Sequence, residues 1–227
     1  MLLLAVDTSG RNGSLALARA GDAGVKTLVM KPLEGRMYSA QLVPAFDEAL
    51  SDTKLTKTEI EAFAVASGPG SFTGLRVGLA TVKALSEVLA KPIAAVSVLE
   101  AAAYVASVSG RVIVAIDAGR KQVFVGEFEK DGKSVQEIRQ ALMSWEEFFL
   151  AAKQPSLQLF SPDAAVRDAA AVQDLRVGEI KPPRADTFAR IGYEKLCAGM
   201  SVPAEVLEAN YVRASDAELF SLPKLTQ

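Results

Sequence analysis

The sequence of 227 residues contains no histidine. Histidine is the commonest general base near neutral pH and the commonest metal ligand in proteins. Its absence excludes catalysis by serine–histidine or cysteine–histidine pairs, and it excludes zinc sites built on histidine. Any chemistry would have to use carboxylates, lysine, backbone amides or residues of a partner. We therefore expect no metal site built on histidine, and we assign no residue as a resident metal ligand.

Cysteine, excess charge and long apolar runs are scarce as well. The single Cys197 rules out a disulfide within the chain and suits a reducing compartment. The 25 basic residues balance 27 acidic ones, so the chain lacks the basic surface of a protein that binds nucleic acid by itself. No run approaches the roughly 18 apolar residues of a membrane span, and the N-terminus lacks the positive region of a signal peptide. We expect a cytoplasmic protein that makes no contact with a membrane.

Apolar runs and turn residues predict strands and helices along the first half of the chain. Strands are predicted at residues 2–6, 14–18, 25–30, 62–67 and 93–96, and helices at residues 39–50, 73–89 and 97–107. Short turns join the first three strands, which predicts an antiparallel meander. The later strands alternate with helices, which predicts a right-handed parallel half.

The pattern then repeats. The segments LLLAVDTSGRNGSLALA and VIVAIDAGRKQVFVGEF both read as buried strand, aspartate, polar turn and second strand. Asp117 follows Asp7 by 110 residues, which is close to half of the chain. The sequence therefore predicts a duplicated α/β fold with mixed sheets flanked by helices. The predicted lobes are an N-terminal lobe at residues 1–108 and a smaller C-terminal lobe at residues 109–227, the latter including a helix at residues 186–196.

A glycine-rich segment, GPGSFTG, links the strand at residues 62–67 to the following helix. Free amides and the helix dipole make such a place attractive to anions. The segment matches neither the Walker pattern nor the dinucleotide-binding pattern of glycines. Two interpretations stay open: a phosphate or anion site that uses Gly68, Gly70 and Ser71, or a turn that lets strand and helix pack closely. We favour the turn.

The helix at residues 73–89 carries its charged residues on one narrow stripe, formed by Arg76, Lys83 and Glu87. The rest of its circumference is apolar or small, wider than the stripe of ~100° that one core face requires. The helix must therefore be covered from two sides, by neighbouring helices of its own chain or by another subunit. Gly74 and Gly78 would admit another helix backbone, and on that reading Gly78→Arg would abolish association without unfolding the chain.

Asp7 and Asp117 each end the first strand of a repeat. If the repeats pack about a pseudo-twofold axis, the two carboxylates face each other across a cleft and could hold a magnesium–nucleotide complex together with Thr8 and Ser9. The alternative is that each aspartate caps its own polar turn.

Five segments resemble the TsaB family, also called YeaZ. They are LAVDTS near the N-terminus, GPGSFTGLRVGLATVKAL, PIAAVSVLE, DAGRKQVF and, more loosely, NYVR. The resemblance implies the duplicated fold of actin, sugar kinases and Hsp70, ribonuclease H-like in each lobe, with the second lobe reduced. It also implies a part in making N6-threonylcarbamoyladenosine (t6A) at adenosine 37 of tRNA.

The resemblance further implies a non-catalytic subunit that scaffolds and activates the transferase. Family members pair with a catalytic paralogue, TsaD, whose metal is held by histidines that this chain lacks, and an ATPase subunit, TsaE, joins them. We predict that the chain alone forms a homodimer through Gly74, Gly78 and their neighbours, and that TsaD competes for that surface. We expect contact with tRNA only through the complex. Pairing in the family involves the first two helices. The residues expected to contact the partner are Leu42, Phe46, Gly74, Leu75, Arg76, Gly78, Leu79 and Val82.

No cofactor is required on this interpretation, although ATP or ADP with magnesium could bind at the interlobe cleft or at the partner interface. The rival interpretation is a small-molecule kinase or ATPase of the same fold that uses Asp7 and the cleft. Two positions depart from the family pattern. Tyr38 stands where many relatives carry histidine, and the segment at residues 117–122 lacks the usual second arginine and glutamate.

Overall fold

The computed structural model describes residues 1–35, 37–132, 134–153 and 157–210. The first half of the chain folds as three strands and then alternating helices and strands. The elements are β1 (Leu2–Asp7), β2 (Gly13–Gly21), β3 (Gly24–Leu33), α1 (Tyr38–Thr53), β4 (Ala62–Gly68), α2 (Phe72–Leu89), β5 (Ile93–Ser97) and α3 (Val98–Val105). Each predicted strand and helix of this half is confirmed, with ends that differ by a few residues.

The second half begins with the same three-strand meander. Its elements are β6 (Gly110–Gly119), β7 (Gln122–Asp131), β8 (Ser134–Ser144), α4 (Trp145–Ala152), β9 (Gln158–Ser161), α5 (Ala164–Ala171), β10 (Val177–Glu179) and α6 (Ala185–Cys197). Helices α4 and α5 are short, at 8 residues each, whereas α2 has 18. The second lobe is therefore the reduced one, as predicted.

The two halves share one topology. Within the described residues the strands form two five-stranded sheets, ordered β3-β2-β1-β4-β5 and β8-β7-β6-β9-β10. In each sheet the first three strands pair antiparallel and the last three pair parallel. The pairing skips Leu28 in β3 and Ile138 in β8, two bulged residues that are again 110 positions apart. The predicted duplication is confirmed down to the register of its edge strands.

The first sheet is buried on both faces, which explains the unbroken apolar run of β1. One face packs against α1 and α2, and the other packs against α3 and α6. Gly192 of α6 brings that helix against Ala64 of β4, because a side chain at Gly192 would overlap the Ala64 methyl group. Val202, beyond α6, forms a bridge with Ile93 of β5.

This packing corrects the predicted lobe boundary. The C-terminal lobe was expected to comprise residues 109–227, but α6 and the segment at residues 198–210 return to the first sheet. The second sheet with its two short helices is formed by residues 110–179. The sequence assigned α6 to the second lobe by chain order, whereas its small and apolar face fits the alanine-rich surface of β1, β2 and β4.

Candidate docking helix and interlobe cleft

Helix α2 begins where the glycine-rich segment ends. The hydroxyl of Ser71 caps it by accepting the amide N–H of Gly74 at 3.3 Å. The helix ends at Ala90, which takes the left-handed conformation with φ of 51°. Its buried residues lie on the sheet side, and its opposite side is exposed.

Three glycines spaced four apart hold α2 against the turn that follows β1. A Cβ on Gly70 would overlap the carbonyl of Ser9, and a Cβ on Gly74 or Gly78 would overlap the carbonyl or the hydroxyl of Thr8. The amide of Ser71 donates a hydrogen bond of 2.6 Å to the carbonyl of Ser9. The glycines therefore give the close strand–helix packing that the sequence analysis favoured, and the element they admit is a turn of the same chain.

Tyr38 closes this packing from α1. Its ring contacts Gly13 and Gly74, and its hydroxyl donates to the carbonyl of Gly10 at 3.0 Å. Its side chain is buried. The residue that departs from the family pattern thus joins α1 to both the β1–β2 turn and α2.

The predicted partner contacts need correction. Leu42, Phe46, Leu75, Leu79 and Val82 are at most 7% exposed and belong to the core between α1, α2 and the first sheet. They lie on the sheet side because each helix turns its apolar side chains toward the largest apolar surface available, the sheet. None of these five side chains is available to a partner while the chain stays folded.

The two glycines of α2 are no more available than those side chains. Gly74 and Gly78 face Thr8, so of the eight predicted contact residues only Arg76 is exposed. Gly78→Arg would drive its side chain into the Thr8 turn, so we now expect this variant to disturb the fold as well as any association.

The exposed sides of α1 and α2 carry a different apolar surface. We call it the α1–α2 face and define it by Ala40, Val43, Pro44, Thr73, Arg76, Val77, Ala80, Ala84 and Val88. The two helices contact each other on the same side of the first sheet, so their outer residues share one surface. Val43 is 55% exposed and Val88 is 79% exposed. Arg76 marks one end of the face, where its guanidinium stacks 3.7 Å over the ring of Phe72.

A cleft of about 1170 Å³ lies between the lobes. From the first lobe it is lined by Asp7, Ser9, Gly70 and Ser71, all named by the sequence analysis. Thr8 and Gly68, named with them, do not line it: Thr8 is buried against the glycines of α2, and Gly68 lies against the carbonyl of Asn210. The carboxylates of the two repeats do line one cleft, because Asp117 borders it from the second lobe.

Asp7 is the buried acid of this cleft. Its Oδ1 accepts the amide N–H of Ser9 at 2.9 Å and the Ser9 hydroxyl at 2.6 Å. Burial raises the pKa of Asp7 from 3.8 to about 6, and the two hydrogen bonds from Ser9 oppose that rise without cancelling it. The Asp7 carboxyl group that lines the cleft therefore takes up a proton at mildly acidic pH.

Asp117 sits beside an acid that the sequence analysis missed. The amide of Asp117 donates to Oδ2 of Asp163 at 2.8 Å, and Oδ1 of Asp117 accepts the amide N–H of Gly119 at 2.9 Å. Burial raises the pKa of Asp163, and the charge of Asp117 adds to the rise, while the hydrogen bond from the Asp117 amide lowers it. Asp117 therefore caps its own turn and lines the cleft at once.

The signal for Asp163 was present in the sequence as an aspartate two residues after strand β9, at the N-cap of α5. Since β9 lies parallel to β6, their carboxyl ends meet at one edge of the sheet. Among the described residues, no group of three or more histidine, cysteine, aspartate or glutamate side chains could hold a metal ion. No helix in the described part of the chain has the length and apolar character to cross a membrane.

Comparison with known proteins agrees with this architecture. The family model described as TsaD, tRNA N6-adenosine threonylcarbamoyltransferase, matches residues 32–195. The tRNA threonylcarbamoyladenosine biosynthesis protein TsaB of Haemophilus influenzae is 31% identical over 182 residues, which are 78% of this chain and 72% of that protein. The TsaB protein of Escherichia coli is 27% identical over 226 residues, covering 94% of this chain and 95% of its own length.

A solved structure, YeaZ from Pseudomonas aeruginosa, superposes with a TM-score of 0.75 at 23% identity, over 92% of this chain and 99% of that one. This similarity establishes the fold. The duplicated fold of actin, sugar kinases and Hsp70, which the sequence resemblance implied, is thereby confirmed.

Proposed function

Because this chain belongs to the TsaB family of tRNA threonylcarbamoyladenosine biosynthesis proteins, we propose that it is the non-catalytic subunit that scaffolds and activates the threonylcarbamoyl transferase. The observation that carries the proposal is the exposed α1–α2 face. It presents small and apolar side chains on two packed helices, in a chain with no histidine to hold a catalytic metal. We propose that it acts in the cytoplasm.

The chemistry of the α1–α2 face supports docking of another helix pair. Interface centres are poor in charged residues and have polar rims. Here Ala80, Ala84 and Val43 supply exposed apolar surface, while the exposed Arg76, Glu87 and Asp47 supply charge beside it. Alanine on an exposed helix lets a second helix approach closely, because its side chain ends at the methyl group.

We propose that the occupant is a TsaD-like paralogue, which would pair through the equivalent two helices. The family model that matches this chain carries the TsaD description, so the paralogue's first lobe would present the same kind of face. Two related faces then pack about a pseudo-twofold axis, as in isologous dimers. Without TsaD, a second copy of this chain would occupy the face. A TsaE-like ATPase would join the resulting complex. The tRNA would also bind to the complex and not to this chain alone, because the chain has a net charge of −2 and no basic excess of its own.

Reconstitution of t6A formation with and without this chain tests the proposal. Ala84→Glu places a charge at the centre of the α1–α2 face without touching the core. We expect it to abolish pairing on a sizing column and to remove the activation, while thermal unfolding stays unchanged. Ala171→Glu, on an exposed turn of α5 in the second lobe, is the matched control. If Ala84→Glu still activates t6A formation fully, or if both variants lose the activation equally, the α1–α2 face is not the docking surface.

A small-molecule kinase or ATPase is the second candidate, favoured by the cleft that Asp7 and Asp117 share. Asp7, Asp117 and Ser71 line this cleft together. In a magnesium–nucleotide complex the two carboxylates would hold the cation, and Ser71 at the start of α2 would meet a phosphate. Magnesium would supply charge neutralisation of the phosphates. The test is calorimetric titration with magnesium ATP, together with phosphoryl transfer by Asp7→Asn. A loss of phosphoryl-transfer rate in Asp7→Asn on the order of a hundredfold, about 2.7 kcal/mol of transition-state stabilisation, would favour this candidate over the scaffold.

A further inference from the structure

Helix α3 lies between the two lobes and packs on both. One side of the helix, with Leu99, Ala102 and Ala103, belongs to the core of the second sheet. The other side, with Val98 and Ala101, belongs to the core that α6 forms with the first sheet. Because α3 has apolar surface on both sides, motion of one lobe against the other would have to break one of these two cores.

A buried lysine of the second sheet fixes the end of α3. The ammonium of Lys130 on β7 donates to the carbonyl of Ala103 at 3.0 Å, to the carbonyl of Tyr104 at 2.9 Å and to the carbonyl of Ala106. Ala103 and Tyr104 lie in the last turn of α3 and Ala106 is its C-cap, at the end of the helix, where backbone carbonyls lack most of their helical hydrogen bonds. An ammonium has three donors, and all three are used here. Lys130 is only 4% exposed, so water competes little for these bonds.

Two further contacts hold the start and the middle of α3. The hydroxyl of Ser97, the N-cap of α3, accepts from the side-chain amide of Gln140 on β8 at 2.9 Å. Glu100 forms an ion pair of 2.8 Å with Lys195 on α6. The helix is therefore attached at its start and its end to the second sheet, and in its middle to α6 of the first lobe.

We infer that α3 is a locked joint, so that the two lobes move as one body and the interlobe cleft keeps its width whether or not a ligand is present. Over residues 1–210, as far as the structure describes them, the chain crosses between the lobes at residues 106–109 and at residues 180–184, which is the connection that a hinge would need. Cleft enzymes commonly close around their substrates to exclude water. The joint here opposes such a motion. This inference does not depend on the proposed docking function.

Distance measurement between spin labels tests the lock on the full chain. The only native cysteine, Cys197, is exposed on α6 of the first lobe. Val172→Cys adds a label site in the second lobe, where Val172 is 81% exposed. We expect one narrow interlobe distance distribution, no wider than that of a control pair within the first lobe, Cys197 with Ser51→Cys. We also expect no shift on addition of magnesium ATP. A broad or two-peaked distribution, or a shift with magnesium ATP, would overturn the inference.

Removing the lysine tests whether it is part of the lock. In the same labelled chain, Lys130→Met should broaden the interlobe distribution and raise amide hydrogen exchange at the end of α3 at least tenfold. Lys26→Met, at an exposed lysine of β3, is the matched control and should do neither. Gln140→Ala, which removes a contact nearer the surface, provides a second variant if Lys130→Met does not fold. If Lys130→Met folds and its interlobe distance distribution stays narrow, the role of these contacts is refuted. If Lys130→Met does not fold, a narrow distribution in Gln140→Ala refutes it instead.

Discussion

Replacing Asp7 by asparagine should stabilise this protein at neutral pH. The asparagine side chain cannot ionise, yet its oxygen can still accept both hydrogen bonds from Ser9. In the folded chain, burial raises the pKa of Asp7 from 3.8 to about 6. A difference of that size corresponds to about 3 kcal/mol of preference for the protonated form. The folded state therefore bears a cost for the ionised carboxylate that the unfolded chain does not bear.

The sign and the pH range of the effect follow from linkage. Below pH 3.8 Asp7 is protonated in both states, and its favourable contribution to folding is fully present. As pH rises toward about 6 the unfolded chain loses the proton first, and above that value the contribution is lost. The variant should therefore match the wild type near pH 3.5 and exceed its free energy of unfolding by up to about 3 kcal/mol at pH 7.

Urea unfolding followed by circular dichroism, at several pH values, measures this difference. Asp22→Asn, at an exposed aspartate of the β2–β3 turn, controls for the loss of one negative charge. A difference that does not grow with pH, or an Asp7→Asn chain less stable than the wild type at pH 7, would refute the reasoning. The second outcome would mean that a positive group stabilises the ionised carboxylate. Magnesium ATP in the buffer extends the test, because a ligand that needs the carboxylate would stabilise the wild type alone and narrow the gap.

Three further predictions concern packing and buried polarity. Gly78→Ala should lower the free energy of unfolding by about 1–3 kcal/mol, since its methyl group would overlap the Thr8 hydroxyl; unchanged thermal unfolding would contradict the packing. Thr8→Val should be neutral or stabilising, because this buried hydroxyl has no hydrogen-bond partner among the residues that the structure describes, whereas a clear loss in Tm would reveal one. Glu127→Gln should destabilise by about 1–3 kcal/mol in denaturant unfolding, because the buried carboxylate pairs with Arg111 and Arg139; Arg139→Gln alone should cost less.

The order of strands and helices and the duplication could be predicted from the sequence. Apolar periodicity is a local property, so it identified β1 and α2 with little reference to the rest of the chain. The repeat of strand, aspartate and turn placed Asp7 and Asp117 in equivalent positions, and both line the same cleft in the structure. The family, too, was recognisable from short segments, the longest of which forms the glycine-rich turn and most of α2.

The candidate site was predicted only in part, because periodicity shows that a side chain needs cover without showing what covers it. Helix α2 is apolar nearly all round, and the sequence could not tell that Gly74 and Gly78 meet the Thr8 turn of the same chain. Its buried leucines were mistaken for partner contacts for the same reason. The exposed Ala84 and Val88 became candidates only once the sheet had occupied the opposite side.

Local sequence patterns were enough to predict the elements, the repeat and the family. Tertiary structure alone decided which lobe α6 joins, that Asp163 lies beside Asp117, and that Lys130 of the second lobe fixes α3. Each of these depends on surfaces far apart in the chain that fit one another in shape and hydrogen bonding. Such fit depends on the folded arrangement of residues that are distant in the chain. The pattern that predicts a strand or a helix, by contrast, depends only on consecutive residues.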